Sequence, residues 1–176
     1  KDKVVIVTGS AGGLGRDFAL GFAREGARLV LADVNEAGLK ETAAELRAIG
    51  AESSVHRVDL AIESDIHAFA AEIAHNYPRI DVLINNAGLA YGDIAFQFET
   101  LSQEKWLRFF SINTVAPLLL AHALRTPLAM GPGVIINQSS MASYMPGTAY
   151  GVTKAALNAM SYGMARSFAN QGVEAG

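Results

Sequence analysis

The sequence predicts an α/β fold: a Rossmann-like, doubly wound parallel sheet with helices on both faces. Three observations predict it. Short apolar runs alternate with longer amphipathic segments along the 176 residues, the pattern of β and α elements in turn. The runs read as strands apolar on both faces, as a sheet covered on both sides requires. A glycine-rich turn, Thr8-Gly9-Ser10-Ala11-Gly12-Gly13-Leu14-Gly15, follows the first run and opens the first amphipathic segment, where such a sheet presents its ligand site.

The first strand is Val4–Val7. Charged residues precede it, but the run is too short for a leader and ends in Thr8-Gly9 rather than a cleavage site. Helical spacing then predicts helices over 14–25, 36–49, 63–76 and 102–124, and a fifth from 150 to 169. Between them Leu29–Ala32, Val55–Val58, Val82–Ile84 and Val134–Ile136 read as further buried strands. Right-handed crossovers join such strands into the doubly wound order. With no repeat, low-complexity tract or linker, residues 1–176 are expected to form a single dinucleotide-binding domain.

Composition narrows the function. Apolar residues make up 51% and charged residues 18%, as in a compact folded domain. A net charge of −3 carries no basic excess, which argues against nucleic acid as a partner. The absence of cysteine excludes a disulfide framework and a thiolate nucleophile, and fits a cytoplasmic location. No apolar run reaches the roughly 18–20 residues of a membrane span, so no membrane association is expected. His56, His67, His75 and His122 show no ligand spacing, and no metal site is expected.

The glycines of the Thr8–Gly15 turn let the backbone approach a pyrophosphate, which a helix N-terminus attracts through its free N–H groups and dipole. Asp33 ends the second strand, eighteen residues beyond Gly15. A carboxylate there accepts hydrogen bonds from an adenosine ribose and repels a 2′-phosphate. Neither Gly12 nor Val34 supplies a cation to offset that repulsion, so NAD is expected over NADP. The competing role for Asp33 is a turn or helix-cap residue. Asp59 and Leu60, after the third strand, either contact the adenine or begin a turn.

Tyr150 and Lys154 lie four apart at the start of the last helix, on one face. A neighbouring ammonium favours a phenolate, which suits a tyrosine to exchange protons with an alcohol or carbonyl. Thr8–Gly15, Asn85-Asn86-Ala87-Gly88, Asn113, Ser139-Ser140 and Tyr150/Lys154 together resemble the short-chain dehydrogenases/reductases, in that family's order and over nearly the whole chain.

The resemblance implies Tyr150 as general acid/base. Lys154 would lower its pKa and hold the nicotinamide ribose, Ser140 would orient the substrate oxygen, and Asn113 would position a water in a proton relay to Lys154. It further implies that Gly9, Gly13, Leu14 and Gly15 line the pyrophosphate. Asn86 would steady the sheet, with Ala87 and Gly88 beside the cofactor. A homo-oligomer, dimer or tetramer, would join through the helices near 102–124 and 150–169. Read without the resemblance, the Asn113 amide would bond to backbone, and Ser139 and Ser140 would cap a strand end.

Two departures stand out. Ser140 precedes Tyr150 by ten residues, about three fewer than the family commonly has; Ser139 or Ser143 is an alternative to Ser140. Beyond Gln171-Gly172-Val173, the sixth strand, Pro-Gly turn, substrate-covering loop and seventh strand are expected to be absent. The chain would then hold the cofactor half and the catalytic tetrad without the substrate lid.

The expected activity is hydride transfer between NAD(H) and a secondary alcohol or ketone. The apolar run Met141–Pro146 favours a hydrophobic substrate. The alternatives are an NADP-linked 3-oxoacyl-type ketoreductase and a non-catalytic NAD-binding protein on the same fold.

Overall fold

The computed structural model describes residues 1–89 and 98–176. The strands are β1 Val4–Thr8, β2 Arg28–Asp33, β3 Ser53–Arg57, β4 Val82–Asn85, β5 Val134–Asn137 and β6 Glu174–Ala175. The helices are α1 Gly13–Arg24, α2 Glu36–Ala48, α3 Glu63–Asn76, α4 Gln103–Phe110, α5 Ala116–Ala123, α6 Arg125–Leu128 and α7 Ala149–Ala169. Among the described residues all six strands pair in parallel, in the order β3-β2-β1-β4-β5-β6. The chain reverses direction across the sheet between β1 and β4. A crevice opens there at the strands' carboxyl ends.

Strand alternation divides the core into two layers. Val5, Val7, Leu29 and Leu31 face α1 and α2, packing with Ala19, Ala23, Leu39 and Leu46. Val4, Ile6, Val30, Leu83 and Ile135 face the other way, onto Ile66, Ile73, Leu120, Met164 and Phe168 of α3, α5 and α7. Each large side chain buried in this way contributes roughly 1.5–3 kcal/mol.

The amino ends of the strands are fastened by Asp81. It accepts from Lys3 Nζ at 2.8 Å, Val4 N–H at 3.0 Å and Arg79 Nη2 at 2.6 Å. Burial raises its pKa, but these hydrogen bonds outweigh burial and hold the carboxyl below its ordinary value.

Three features differ from the sequence expectations. β3 is not a strand buried on both faces. It is an edge strand whose residues are half-buried or exposed: Ser54 and His56 turn to the half-buried side, Ser53, Val55 and Arg57 to the exposed side, and among the described residues no strand pairs along its outer edge. The helix expected over 102–124 is interrupted by a π-helical turn at Ser111–Val115. Pro117 has no N–H to give the Asn113 carbonyl, so a regular α-helix cannot run through this point. Finally, Glu174–Ala175 pair with Val134–Ile135 as a short sixth strand where none is expected.

Candidate active site

The glycine-rich turn joins β1 to α1 under tight constraint. Gly9 has φ +68°, and a Cβ there would lie 2.8 Å from the Ala87 Cα. A Cβ on Gly15 would collide with the Gly9 carbonyl oxygen. Both positions therefore need glycine. Asn86 locks the turn to the end of β4: its Nδ2 donates to Thr8 O at 3.0 Å and Gly9 O at 3.3 Å. The Asn86 and Ala87 N–H groups both donate to Thr8 Oγ1 at 3.0 Å.

α1 begins without a side-chain cap and with no acidic residue in its first turn. Asn35, Ser102 and Thr148 cap α2, α4 and α7, and α3, which also lacks a side-chain cap, carries Glu63 and Asp65 in its first turn. The first N–H groups of α1 are thus left for an anion.

A cleft of about 390 Å³ runs along the strand ends, within the range of ligand pockets. Gly9, Asp33, Asp59, Leu60, Asn86, Ala87 and Gly88 line it, as do Ala11, Gly12, Leu89, Arg108 and Ile112. Gly13, Leu14 and Gly15 are not part of its wall; they form the first turn of α1, where Leu14 is exposed. Asp33 accepts from Ala11 N–H at 3.1 Å through one oxygen and from Asn35 N–H at 2.9 Å through the other. It serves the local turn and still faces the cleft, because each carboxylate oxygen keeps a further lone pair. Asp59 likewise accepts from Ala61 N–H at 2.9 Å.

Arg16 is the cation nearest the turn in sequence, and it is fully committed. Its guanidinium binds Thr42 Oγ1, Ala11 O, Glu41 and Glu45 at 2.8–3.0 Å.

At the far end of the cleft, a Cβ on Gly88 would come within 3.2 Å of Asn113 Oδ1 and 3.6 Å of Lys154 Nζ. Lys154 is 3% exposed, and its Nζ donates to Gln138 O at 2.6 Å. It has no ion-pair partner among the described residues, and burial pulls its pKa from 10.5 down to about 8. Its Nζ lies 5.8 Å from the centre of the Tyr150 ring. Tyr150 packs against a small cluster formed by Leu101, Phe109 and Ala149.

Asn113 is fully buried in the π turn. Its Oδ1 accepts from Leu89 N–H at 2.8 Å, and its Nδ2 donates to Leu89 O and to Thr153 Oγ1 at 3.1 Å each. Ser140 caps a 3₁₀ turn at Met141–Tyr144, its Oγ accepting from Ala142 N–H at 3.2 Å.

Sequence reasoning missed Arg108, Ile112 and Leu89 in the cleft wall, and Gln138 as the acceptor for Lys154. Ile112 and Arg108 sit one and five residues before Asn113, inside a stretch that reads as an ordinary apolar helix face. Gln138 carries no signal, because it acts through its backbone carbonyl.

Residues 3–176 match the short chain dehydrogenase family. The chain belongs to that family. An NAD-dependent glycerol dehydrogenase of Listeria innocua is 35% identical over 172 residues, which cover 96% of this chain and 65% of the relative. Among solved structures, L-sorbose reductase from Gluconobacter frateurii, complexed with NADPH and L-sorbose, superposes with TM-score 0.92 at 30% identity. It covers 99% of this chain and 67% of its own. NAD+-bound xylitol dehydrogenase gives 0.89 at 28% identity, covering 98% and 67%. The chain thus spans about two thirds of the length of these relatives. It is an oxidoreductase-family chain with a nicotinamide dinucleotide fold, and these neighbours hold NADPH in one case and NAD+ in the other. No helix among the described residues is long and apolar enough to cross a membrane.

Proposed function

We propose that the protein interconverts a secondary alcohol and its ketone with NAD(H), and that Tyr150 is the general acid/base. The observation that carries this reading is Lys154. It is a buried ammonium without a carboxylate partner among the described residues, one helical turn from Tyr150 and beside Gly88, which lines the cleft that also holds Asp33. A structural lysine gains nothing from burial of this kind.

The residues present fit the dinucleotide. The uncapped first turn of α1 suits the pyrophosphate, and Asp33 suits ribose hydroxyls. Asp33 together with the committed Arg16 disfavours a 2′-phosphate, which supports NAD over NADP. When bound, the cofactor accepts or donates the hydride.

The protein's part is proton management and orientation. Tyr150 takes the hydroxyl proton of the alcohol, or returns it to the ketone oxygen, and the adjacent Lys154 ammonium stabilises the phenolate so formed. Ser140 suits the task of holding the substrate oxygen. Its lone pair is occupied by Ala142 N–H, while among the described residues its hydroxyl proton has no acceptor. Ser143 gives its proton to Ser140 O and Ser139 gives its proton to Asn158 Oδ1, so neither alternative has a proton to spare.

The Asn113 amide is committed to Leu89 and Thr153. Water positioning is therefore assigned to its main-chain carbonyl, which Pro117 cannot serve as a helical donor. Exposed Met141, Tyr144 and Met145 favour a hydrophobic alcohol, and exposed Leu107, Val115 and Leu118 supply an apolar face for self-association.

The test is Tyr150→Phe. Turnover on a panel running from polyols to cyclohexanols should fall at least about 1,000-fold while the NADH dissociation constant stays within about twofold. Retained turnover would refute the assignment, and NADH binding without turnover by the unsubstituted protein would favour a non-catalytic binder.

A further inference from the structure

We infer that Asn158 is a positioning residue for the reaction, tying the serine-bearing loop to the helix that carries Tyr150. The inference rests on the roles proposed above for Tyr150 and Ser140. Lys154, Asn158 and Ser161 lie at i, i+4 and i+7 and so share one face of α7. Each meets the carboxyl end of β5. Lys154 Nζ donates to Gln138 O at 2.6 Å, Asn158 Oδ1 accepts from Ser139 Oγ at 2.5 Å, and Ser161 Oγ accepts from Asn137 Nδ2 at 2.8 Å. Three consecutive residues at the strand end are thereby registered against two turns of the helix.

Asn158 alone extends this seam into the loop. Its Nδ2 donates to Ser143 Oγ at 3.0 Å, and Ser143 Oγ donates to Ser140 O at 2.6 Å. The direction of every bond is determined. A carbonyl only accepts, so Ser143 spends its proton on Ser140 O and must accept from Asn158. The amide nitrogen therefore faces Ser143, and the amide oxygen faces Ser139.

Asn158 bridges the two sides with one planar group that both donates and accepts. Only nine residues separate Ser140 from Tyr150, so a shift of α7 against this loop displaces the substrate-holding hydroxyl from the acid/base directly. The bridge resists that shift.

The test compares Asn158→Leu with Asn158→Asp, whose carboxylate keeps the acceptor for Ser139 but can meet Ser143 only by taking the proton that Ser143 gives to Ser140 O. Asn158→Leu should lower kcat about 10- to 100-fold, the scale of a sub-ångström to ångström misplacement. It should leave the NADH dissociation constant within about twofold, and hydrogen exchange at the Ala142 and Ser143 amides should quicken. Asn158→Asp, which restores the Ser139 half alone, should recover only part of that loss. If Asn158→Leu does not fold, Ser143→Ala removes the same bridge at its loop end and should reproduce the loss.

Unchanged kcat together with unchanged exchange would overturn the inference. If the unsubstituted protein turns over no alcohol or ketone, the proposed function falls. The exchange measurement still decides whether Asn158 holds the loop.

Discussion

Replacing Lys154 by Met should make the cofactor-free protein more stable at neutral pH while removing its activity. Met keeps the length of the side chain and removes the charge. The magnitude follows from the burial. Lys154 is 3% exposed, with one neutral acceptor at 2.6 Å and a pKa pulled from 10.5 to about 8. At about 1.36 kcal/mol for each tenfold change in proton affinity, the native state carries a cost of about 3 kcal/mol for holding that proton. Loss of the donor to Gln138 O returns about 1 kcal/mol of that gain, so Lys154→Met should stabilise by about 2 kcal/mol at pH 7.

The pH dependence has a definite sign. Below about pH 8 both folded and unfolded chains hold the proton, and the full cost is present. Between about 8 and 10.5 the unfolded chain binds a proton that the native state has released, so native stability rises with pH. Above that window the cost is gone. Urea unfolding of both proteins at half-unit intervals from pH 7 to 10.5, compared as a difference, cancels every other titrating group. The stability of the unsubstituted protein relative to Lys154→Met should climb by about 3 kcal/mol across the window. A difference that stays flat would refute the claim that burial of this ammonium strains the fold.

Two further substitutions separate the ends of the sheet. Asp33→Asn removes the charge facing the cleft, and fluorescence titration should show the preference for NADH over NADPH narrowing about 10-fold or more; an unchanged ratio would mean that Asp33 acts only on the Ala11 and Asn35 N–H groups it already binds. Asp81→Asn should destabilise by about 1–3 kcal/mol, the lower part of the range for a buried ion cluster because Lys3 and Arg79 are half-exposed and can be resolvated. It should leave NADH affinity unchanged. Since the folded-state pKa of Asp81 is depressed, its contribution is present above its ordinary value of 3.8 and lost as the pH falls through the lower folded value. The acid limb of the stability curve should therefore flatten in this variant.

The parts of the fold legible in the sequence are those where one residue type answers one physical demand. Val4–Val7 reads as a strand buried on both faces because both faces meet helices. The glycines at 9 and 15 read as a close-approach turn because no side chain fits. β3 misleads because an edge strand needs apolar residues only on part of its surface, and Val55 and Val58 bracket His56 and Arg57 without revealing which side is open. The helical break at Asn113 hinges on a single missing N–H at Pro117, which apolar periodicity conceals. β6 is two residues long and includes Glu174, too short to show any period.

At the site, residue identities were legible and their partners were not. Tyr150 and Lys154 are neighbours by helical spacing alone. Which proton each of Ser139, Ser140 and Ser143 commits depends on how α7 lies against β5, and that is set by tertiary register.

The two ends of the sheet are built on opposite principles. At the amino ends, Asp81 gathers Lys3, Val4 N–H and Arg79 into a satisfied cluster. At the carboxyl ends the described residues leave groups in need: α1 without a side-chain cap, Lys154 without a counter-charge among them, and a helix broken at Asn113. Each of these weakens the cofactor-free fold. Each also lies beside the cleft or in contact with a residue that does. A ligand that binds only the native state adds stability in proportion to RT ln(1 + [L]/Kd), and an anion at α1 satisfies N–H groups that no side chain serves. On the proposed function the unmet demands are where a dinucleotide would bind, and the polar seam along α7 would keep Tyr150 in register with Ser140 while those demands stay unmet.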